Sequence, residues 1–325
     1  MIIDDLTTRR ILIAADDAGH PILVDSRLAR GFDLTPTVYC EEIWETPSVA
    51  DLSDSADRAP ITVAFPQPGQ VIARILELGP ASTDNVTSMQ ETVEELAGSG
   101  ATKGDLHRTQ TTDYFAVVSG DITLKADGEE VRLTAGDFAV CLGALHGWEC
   151  HTSSHSRFLA VLTGAHDYGD NGSKPVEFTT LPVAGQPCAR RVVLGHDPQG
   201  RSRILDDQSV PLPARLWETH EDVPSNRLLQ DPLTTNVDGR PLSDGQGFEC
   251  FSLEAGHSRP LSALDHQLIG IVVQGQVTLE VNGSQERTTL AVGDIFVSNG
   301  FNVVLENSIE GLALVGVVTL PGKRP

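Results

Sequence analysis

The chain of 325 residues is long enough for about two domains, and its 40% share of hydrophobic residues argues against disorder. The formal net charge of −22, from 45 acidic and 23 basic side chains, argues against nucleic acid and anionic membranes as partners, because both would repel it. Scattered cysteines without a CxxC pair, no apolar leader and no membrane-length apolar run make a reducing cytoplasm the expected location.

Four sequence blocks occur twice in the same order and indicate a duplicated domain. The first copy opens with RRILIAADDAGHPILVDS from Arg9, and the second with RRVVLGHDPQGRSRILDD from Arg190. Each block has an apolar run, a polar turn and a second apolar run, which is typical of a β-hairpin. EEIWET and ARLWET follow, then FAVVSGDITLKADG with IGIVVQGQVTLEVNG, and RLTAGDFAV with TTLAVGDIFV. Matched order over four blocks favours duplication over chance.

Short β-rich runs broken by Ser-Gly, Asp-Gly and Gly-Asp pairs dominate both halves. Closely spaced short strands of this kind indicate an all-β antiparallel sandwich or barrel. The Pro/Gly/Asp-rich segment 166–189 is expected to be a linker. The predicted domains are therefore an N-terminal barrel over residues 1–165 and a C-terminal barrel over residues 190–325.

An insertion at 82–105 distinguishes the first half from the second. Met89, Val93 and Leu96 stand at i, i+4 and i+7 and predict a short amphipathic helix. Two roles remain open for it: a lid over the mouth of a barrel, or a packed helix that covers a sheet edge.

The stretch 107–150 carries the residues that indicate chemistry. His107, Thr109 and Asp113 precede Gly120, and His146 follows Gly143 by three positions. This pattern resembles the two motifs of the cupin family, with His107, Asp113 and His146 in ligand places and Thr109 where a second histidine usually stands. The wider phrase HRTxTxDY is similar to a subgroup of small cupins of mostly unassigned activity. The resemblance implies two tandem double-stranded β-helix, or jelly-roll, barrels with a few short helices.

In cupins, histidines and a carboxylate hold a first-row metal inside the barrel. The resemblance therefore implies that His107, Asp113 and His146 hold one divalent transition metal, Fe, Mn, Zn or Ni, as a two-histidine, one-carboxylate set. A metal-free polar pocket for an organic ligand is the other interpretation. Cys141 and Cys150 bracket His146 in sequence but are expected to behave as small buried hydrophobes rather than as ligands.

The resemblance also implies an enzyme acting on a small organic metabolite, in secondary metabolism for example, as isomerase, cyclase, decarboxylase or oxygenase. His107, Asp113 and His146 are then the catalytic candidates, since histidine moves protons near neutral pH. Thr109 and Trp148 are the candidate substrate contacts. If Asp113 faces the cavity, strand alternation turns its neighbour Tyr114 outward, and His146 and Trp148 share a face if that stretch is extended. A non-catalytic, metal-free binding protein is the alternative.

The second half keeps the glycines of the motif but not its ligands. Alignment on the glycines places Ser262 opposite His107, Leu268 opposite Asp113 and Val303 opposite His146. We therefore expect no metal there. The second barrel is expected to support the first by packing on it, or to form the surface of a homodimer.

Overall fold

The computed structural model describes residues 8–26, 30–46, 50–52, 58–60, 62–80, 91–96, 101–165, 177–183, 185–219, 231–235, 237 and 245–323. Within these ranges the chain forms strands β1–β25 and one short helix, α1, at 91–96. No helix in the described part of the chain is long and apolar enough to cross a membrane.

The described part of the first half of the chain contains fourteen strands, β1 to β14. They are β1 (Arg10–Ala15), β2 (Pro21–Ser26), β3 (Arg30–Thr35), β4 (Val38–Thr46), β5 (Ala50–Asp51), β6 (Val71–Leu78), β7 (Thr102–Lys103), β8 (Leu106–His107), β9 (Thr111–Ser119), β10 (Asp121–Ala126), β11 (Glu129–Thr134), β12 (Phe138–Leu142), β13 (Gly147–Glu149) and β14 (Ser156–Gly164).

The strands of the second half repeat much of this series. They are β15 (Cys188–His196), β16 (Ser202–Pro211), β17 (Ala214–Glu218), β18 (Gly247–Leu253), β19 (Ser258–Leu261), β20 (His266–Gln274), β21 (Gln276–Val281), β22 (Arg287–Ala291), β23 (Ile295–Asn299), β24 (Val303–Glu306) and β25 (Ala313–Lys323).

Two barrels result, each from one large and one small sheet. Barrel one joins the sheet β16-β15-β12-β9-β14-β6-β4-β3 to the three-stranded sheet β11-β10-β13. Barrel two joins β17-β18-β25-β20-β23-β1-β2, with β5 beside β25, to the four-stranded sheet β19-β24-β21-β22. The predicted all-β fold of two tandem jelly-roll barrels is confirmed.

The opening hairpin of each half belongs to the barrel of the other half. Strand β1 runs parallel to β23, with Ile11 opposite Phe296, so the hairpin β1–β2 lies in barrel two. Strand β15 runs parallel to β12, with Val192 opposite Ala139, so β15–β16 lies in barrel one. The boundaries 1–165 and 190–325 divide the sequence repeat, whereas each barrel takes one hairpin across that division.

An arginine clamps each exchanged hairpin to its host barrel. Arg9 pairs with Asp294 at 3.3 Å, in the Gly-Asp turn before β23. Arg190 pairs with Asp137 at 3.4 Å, in the corresponding turn before β12. Arg9 and Arg190 are the first residues of the two repeated blocks. Both the ion pair and the exchange of hairpins are therefore present in each half.

A glutamate caps the outer strand of each exchanged hairpin. The Leu23 backbone N–H donates to Glu286 at 2.6 Å, and the Ile204 backbone N–H donates to Glu129 at 3.0 Å. Strands β2 and β16 end their large sheets. A charged cap on an edge strand discourages pairing with another chain.

Three apolar clusters make up the core. One fills the interior of barrel one, one fills barrel two, and the third draws on both large sheets and joins the barrels. Strand alternation sets the membership: Ile11 and Ile13 point into barrel two, while Leu12 and Ala14 join the shared layer. A layer of buried apolar side chains therefore joins the two barrels.

Candidate functional site

Barrel one encloses a cavity of about 380 Å³ with mainly apolar walls. The predicted site residues all line it, although they come from strands β8, β9 and β13 and from the turns beside them: His107, Thr109, Asp113, His146 and Trp148. The fold thus brings the two sequence motifs to one cavity.

The two histidines meet across a short bridge between their backbones. The His107 N–H donates to the His146 carbonyl at 2.7 Å, and the His146 N–H donates to the His107 carbonyl at 2.8 Å. Their ring centroids lie 4.5 Å apart. Two motif residues that are 39 positions apart in sequence therefore lie next to each other in the fold.

Burial disfavours the charged form of both histidines. Burial lowers the pKa of His107 well below its usual value, and the charge of a protonated His146 would lower it further. Burial also lowers the pKa of His146, against the effect of a hydrogen bond to the backbone at Ala144. The Nδ1 atom of His146 lies 3.0 Å from the Ala144 carbonyl, so Nδ1 carries the proton and donates. The Nε2 lone pair of His146 is then free.

Asp113 is a buried carboxylic acid whose Oδ1 has no hydrogen-bond partner. Burial raises its pKa to about 7, against the lowering effects of the Thr111 hydroxyl and the Arg74 charge. One ligand atom each from Asp113, Cys141 and His146 lies within 4.8 Å of the others. His107 is outside that set, although its ring contacts the ring of His146.

Cys141 lies directly opposite Asp113 in the pairing of β12 with β9. Its Sγ is 3.5 Å from the His146 Nδ1. Burial, and after it the Asp113 charge, raise the thiol pKa well above its usual value, which keeps the sulfur protonated in this state. A protonated buried thiol agrees with the expected hydrophobic role. Its position five residues before His146 is the sequence signal that placed it at the site.

Aromatic side chains form one wall of the cavity. Trp148 packs against Phe158 at 4.7 Å and edge-on against Phe115 at 4.8 Å between ring centroids. The ring of His146 is 6.1 Å from Trp148, so the two share a side, as alternation predicts. Tyr114, next to Asp113, packs instead in the layer between the barrels.

Thr109 is buried, and its hydroxyl pairs with the Thr111 hydroxyl at 2.5 Å. A hydroxyl has one donor and two acceptor lone pairs. Thr109 therefore keeps hydrogen-bonding capacity for a bound molecule while Thr111 fixes its orientation.

A buried ion pair in the cavity wall was not anticipated from the sequence. Arg74 of β6 lines the cavity, and its Nη2 lies 3.0 Å from Glu42 Oε1. The Arg74 Nε–H and the Glu42 Oε2 have no partner. Burial raises the pKa of Glu42 to about 7, against the attraction of Arg74. The available signal was a lone arginine in the otherwise apolar strand VIARILEL.

Helix α1 covers part of the cavity. Thr92, Val93 and Leu96 line it, and the Thr92 hydroxyl donates to the Leu34 carbonyl at 3.5 Å. Met89, the first residue of the predicted apolar face, lies outside the described residues. Since α1 lines the cavity and also contacts the edge strand β3, both interpretations of the insertion remain open.

The matching positions in barrel two are apolar. Leu268 corresponds to Asp113 and pairs with Ser298, as Asp113 pairs with Cys141. Val303 corresponds to His146 and pairs with Leu261. The counterpart of His107 is thus Leu261 rather than the expected Ser262, because the loop after it differs in length by one residue. In the described part of the chain, the Asp113 group is the only set of at least three such ligand residues this close together.

No family model matches the chain, and no curated protein matches it either. Solved structures with a similar fold include AerE from Microcystis aeruginosa, with 11% identity, 89% of this chain and 95% of that chain covered, and a TM-score of 0.44. They also include salicylate 1,2-dioxygenase from Pseudoaminobacter salicylatoxidans with gentisate adducts, with 16% identity, coverage of 77% and 68%, and a TM-score of 0.43. A cupin 2 conserved barrel domain protein from Leptotrichia buccalis has 9% identity, coverage of 77% and 83%, and a TM-score of 0.37.

At these identities and TM-scores the likenesses carry no argument about activity, metal or substrate. The fold assignment depends instead on the sheet order and on the closure of each barrel from one large and one small sheet. Barrel order and strand pairing are those of two tandem jelly-roll barrels, the fold that the resemblance of the motif residues to cupins implies.

Proposed function

We propose that the protein is an enzyme that acts on a small organic molecule in the cavity of barrel one, with His107, Asp113 and His146 as the reacting groups. One observation carries the proposal: three titratable side chains meet in a mainly apolar cavity, and a carboxylate oxygen among them has no partner. Leaving a buried polar group unpaired costs about 1–3 kcal/mol. A bound molecule or ion that pairs with this oxygen would remove that cost.

The donor atoms fit a divalent transition metal. Asp113 offers a free oxygen, and His146 offers one nitrogen while the other donates to a backbone carbonyl, an arrangement common in metal-ligating histidines. Ligand atoms of Asp113 and His146 lie within 4.8 Å of each other and would hold the ion. His107, which lies outside that group, would have to turn towards the ion to complete a two-histidine, one-carboxylate set. Bound there, the ion would supply a Lewis acid inside a mainly apolar cavity.

The chain's own residues supply binding and proton transfer. Trp148, Phe115 and Phe158 offer an apolar aromatic surface on which a planar molecule can pack. In the metal-free site Asp113, with its pKa raised to about 7, gives or takes a proton close to neutral pH, and neutral His107 accepts a hydrogen bond from the bound molecule. Proton transfer at a carbon or oxygen atom suits isomerisation, cyclisation or decarboxylation, and bound iron would extend this to oxygenation.

Binding without turnover is the second candidate, and the mainly apolar wall favours it. Incubating the purified chain with a metabolite extract, followed by mass spectrometry of the solution and of the native protein, distinguishes the two. The proposal predicts that a metabolite is converted by the wild type and not by the His107→Ala, His146→Ala double variant. Capture without conversion would favour binding alone, and neither capture nor conversion would contradict both.

A further inference from the structure

The ion pair of Arg74 and Glu42 neutralises the cavity wall before any ligand arrives. Arg74 is 3% exposed and Glu42 is fully buried. Among the described residues that line the cavity, Arg74 and Lys125 are the two cations, and Lys125 is already paired with Asp105 and Glu149. Neither positive charge is therefore available to an incoming anion.

Arg74 stands at some distance from the reacting groups. In the sheet, Arg74 pairs with Ala160, and Ala160 pairs with Phe115. Asp113 lies two residues further along the strand of Phe115, so the Cα atoms of Arg74 and Asp113 are separated by about 12 Å from strand spacing and rise. The aromatic wall lies beside this span. A molecule of one or two fused rings can contact both polar groups at once.

The free donor of Arg74 suits a neutral acceptor. Its Nε–H has no partner, while its Nη2 is held by Glu42 and by the Ala64 carbonyl. A carbonyl or hydroxyl oxygen can accept from Nε–H without disturbing the pair. A carboxylate would bring a further negative charge beside Glu42 in a medium of low polarity, where repulsion is strong.

We propose that the Arg74–Glu42 pair makes the cavity selective for neutral aromatic molecules bearing a carbonyl or hydroxyl group, and excludes carboxylates of the same shape. This inference rests on the proposed function only in assigning the substrate to the same cavity. The ring packs against Trp148, Phe115 and Phe158, and the oxygen accepts from Arg74. Selectivity against the anion comes from Glu42, whose negative charge already compensates the positive charge of Arg74.

Calorimetric titration of the full chain with three probes at about pH 8.5, where Glu42 with its pKa of about 7 is ionised, tests this: 2-naphthol, 2-naphthoate and 2-naphthylmethylammonium. We expect 2-naphthol to bind at least about tenfold more tightly than 2-naphthoate, a difference of about 1.4 kcal/mol. Glu42→Gln leaves the Arg74 charge uncompensated, so binding of 2-naphthoate should rise to match or exceed that of 2-naphthol. The ammonium probe should bind Glu42→Gln more weakly than the wild type, because only in the variant is the positive charge of Arg74 left uncompensated.

Glu41→Gln is the matched control. Glu41 adjoins Glu42, is equally buried and also pairs with an arginine, Arg157, at 3.2 Å. It is on the opposite face of β4, where its pairing partner in β6, Ile75, belongs to the layer between the barrels. The ratio of 2-naphthol to 2-naphthoate affinity should therefore be that of the wild type.

Equal affinity of the wild type for 2-naphthol and 2-naphthoate, or an unchanged ratio in folded Glu42→Gln, would overturn the inference, as would failure of all probes to bind. If Glu42→Gln does not fold, the double variant Glu42→Met, Arg74→Met replaces the pair by apolar side chains, a change often neutral for stability. Its affinity for 2-naphthol should then fall to that for naphthalene, and retained affinity would overturn the inference. Probe selectivity without metabolite conversion would count against the proposed catalysis alone.

Discussion

Replacing Asp113 with asparagine should stabilise the metal-free protein at alkaline pH. Burial raises the folded-state pKa of Asp113 from 3.8 to about 7. The folded state therefore binds more protons than the unfolded state between these values, and the free energy of unfolding falls as pH rises. A difference of about 3 pKa units corresponds to a loss of up to about 4 kcal/mol by pH 8. Asparagine keeps the shape and carries no charge, so this loss disappears.

Urea denaturation of chelator-treated wild type and Asp113→Asn, from about pH 5 to about pH 8, measures the effect over the window in which the raised pKa acts. The variant should gain relative to the wild type as pH rises. Glu42, whose pKa is also raised to about 7, contributes a similar slope to both proteins and cancels in the difference.

Asp121→Asn provides a control of opposite sign. The hydrogen bond and charge of Arg132 lower the pKa of Asp121, so its stabilising effect is present above the unfolded pKa and is lost as pH falls. Its removal should not stabilise the protein at alkaline pH. A metal-free Asp113→Asn protein that is less stable than wild type at pH 8, with no relative change across the window, would refute the reasoning about a buried, unpaired carboxylate.

The exchanged hairpins lead to two further predictions. Arg9→Met and Arg190→Met should each lower the free energy of unfolding by about 1–3 kcal/mol, as expected for hydrogen bonds to charged groups, and by similar amounts because their environments match; a strongly unequal loss in denaturation would contradict the equivalence of the clamps. Halves 1–165 and 190–325 produced separately should not fold by circular dichroism, but should assemble when produced together, because each barrel needs a hairpin from the other half. Independent folding of both halves would contradict the exchange.

The fold could be predicted from the repeated glycine turns and from the alternation of side chains along the strands. Gly120 and Gly275 both have positive φ, 76° and 74°, and a Cβ there would meet Ser156 or the backbone around Ala313 within about 3 Å. Such positions need glycine, so their repetition marks equivalent turns. Alternation likewise predicted that Asp113 and Tyr114 lie on opposite faces, because every second side chain of a strand shares a face. The structure shows that Asp113 is the one in the cavity.

Three features could not be predicted from local patterns. A hairpin such as β1–β2 has the same sequence pattern whichever sheet it joins. The exchange of hairpins between the two halves could therefore not be predicted. The pairing of Arg74 with Glu42 depends on the register of β4 with β6, which neither strand encodes alone. The counterpart of His107 is Leu261 rather than the expected Ser262, because the loop that follows differs in length by one residue between the halves.

Metal content measured side by side in wild type, His107→Ala, His146→Ala and Cys141→Ser tests the central claim most directly. Proteins purified without chelator should hold at most one transition metal per chain, since barrel two offers apolar residues at the matching positions. Either histidine variant should lose the metal and stay folded on its apolar core, and Cys141→Ser should retain it. Stoichiometric metal in both histidine variants would contradict the assignment of these residues, and no metal in the wild type after reconstitution with Fe, Mn, Zn or Ni would contradict a metal centre.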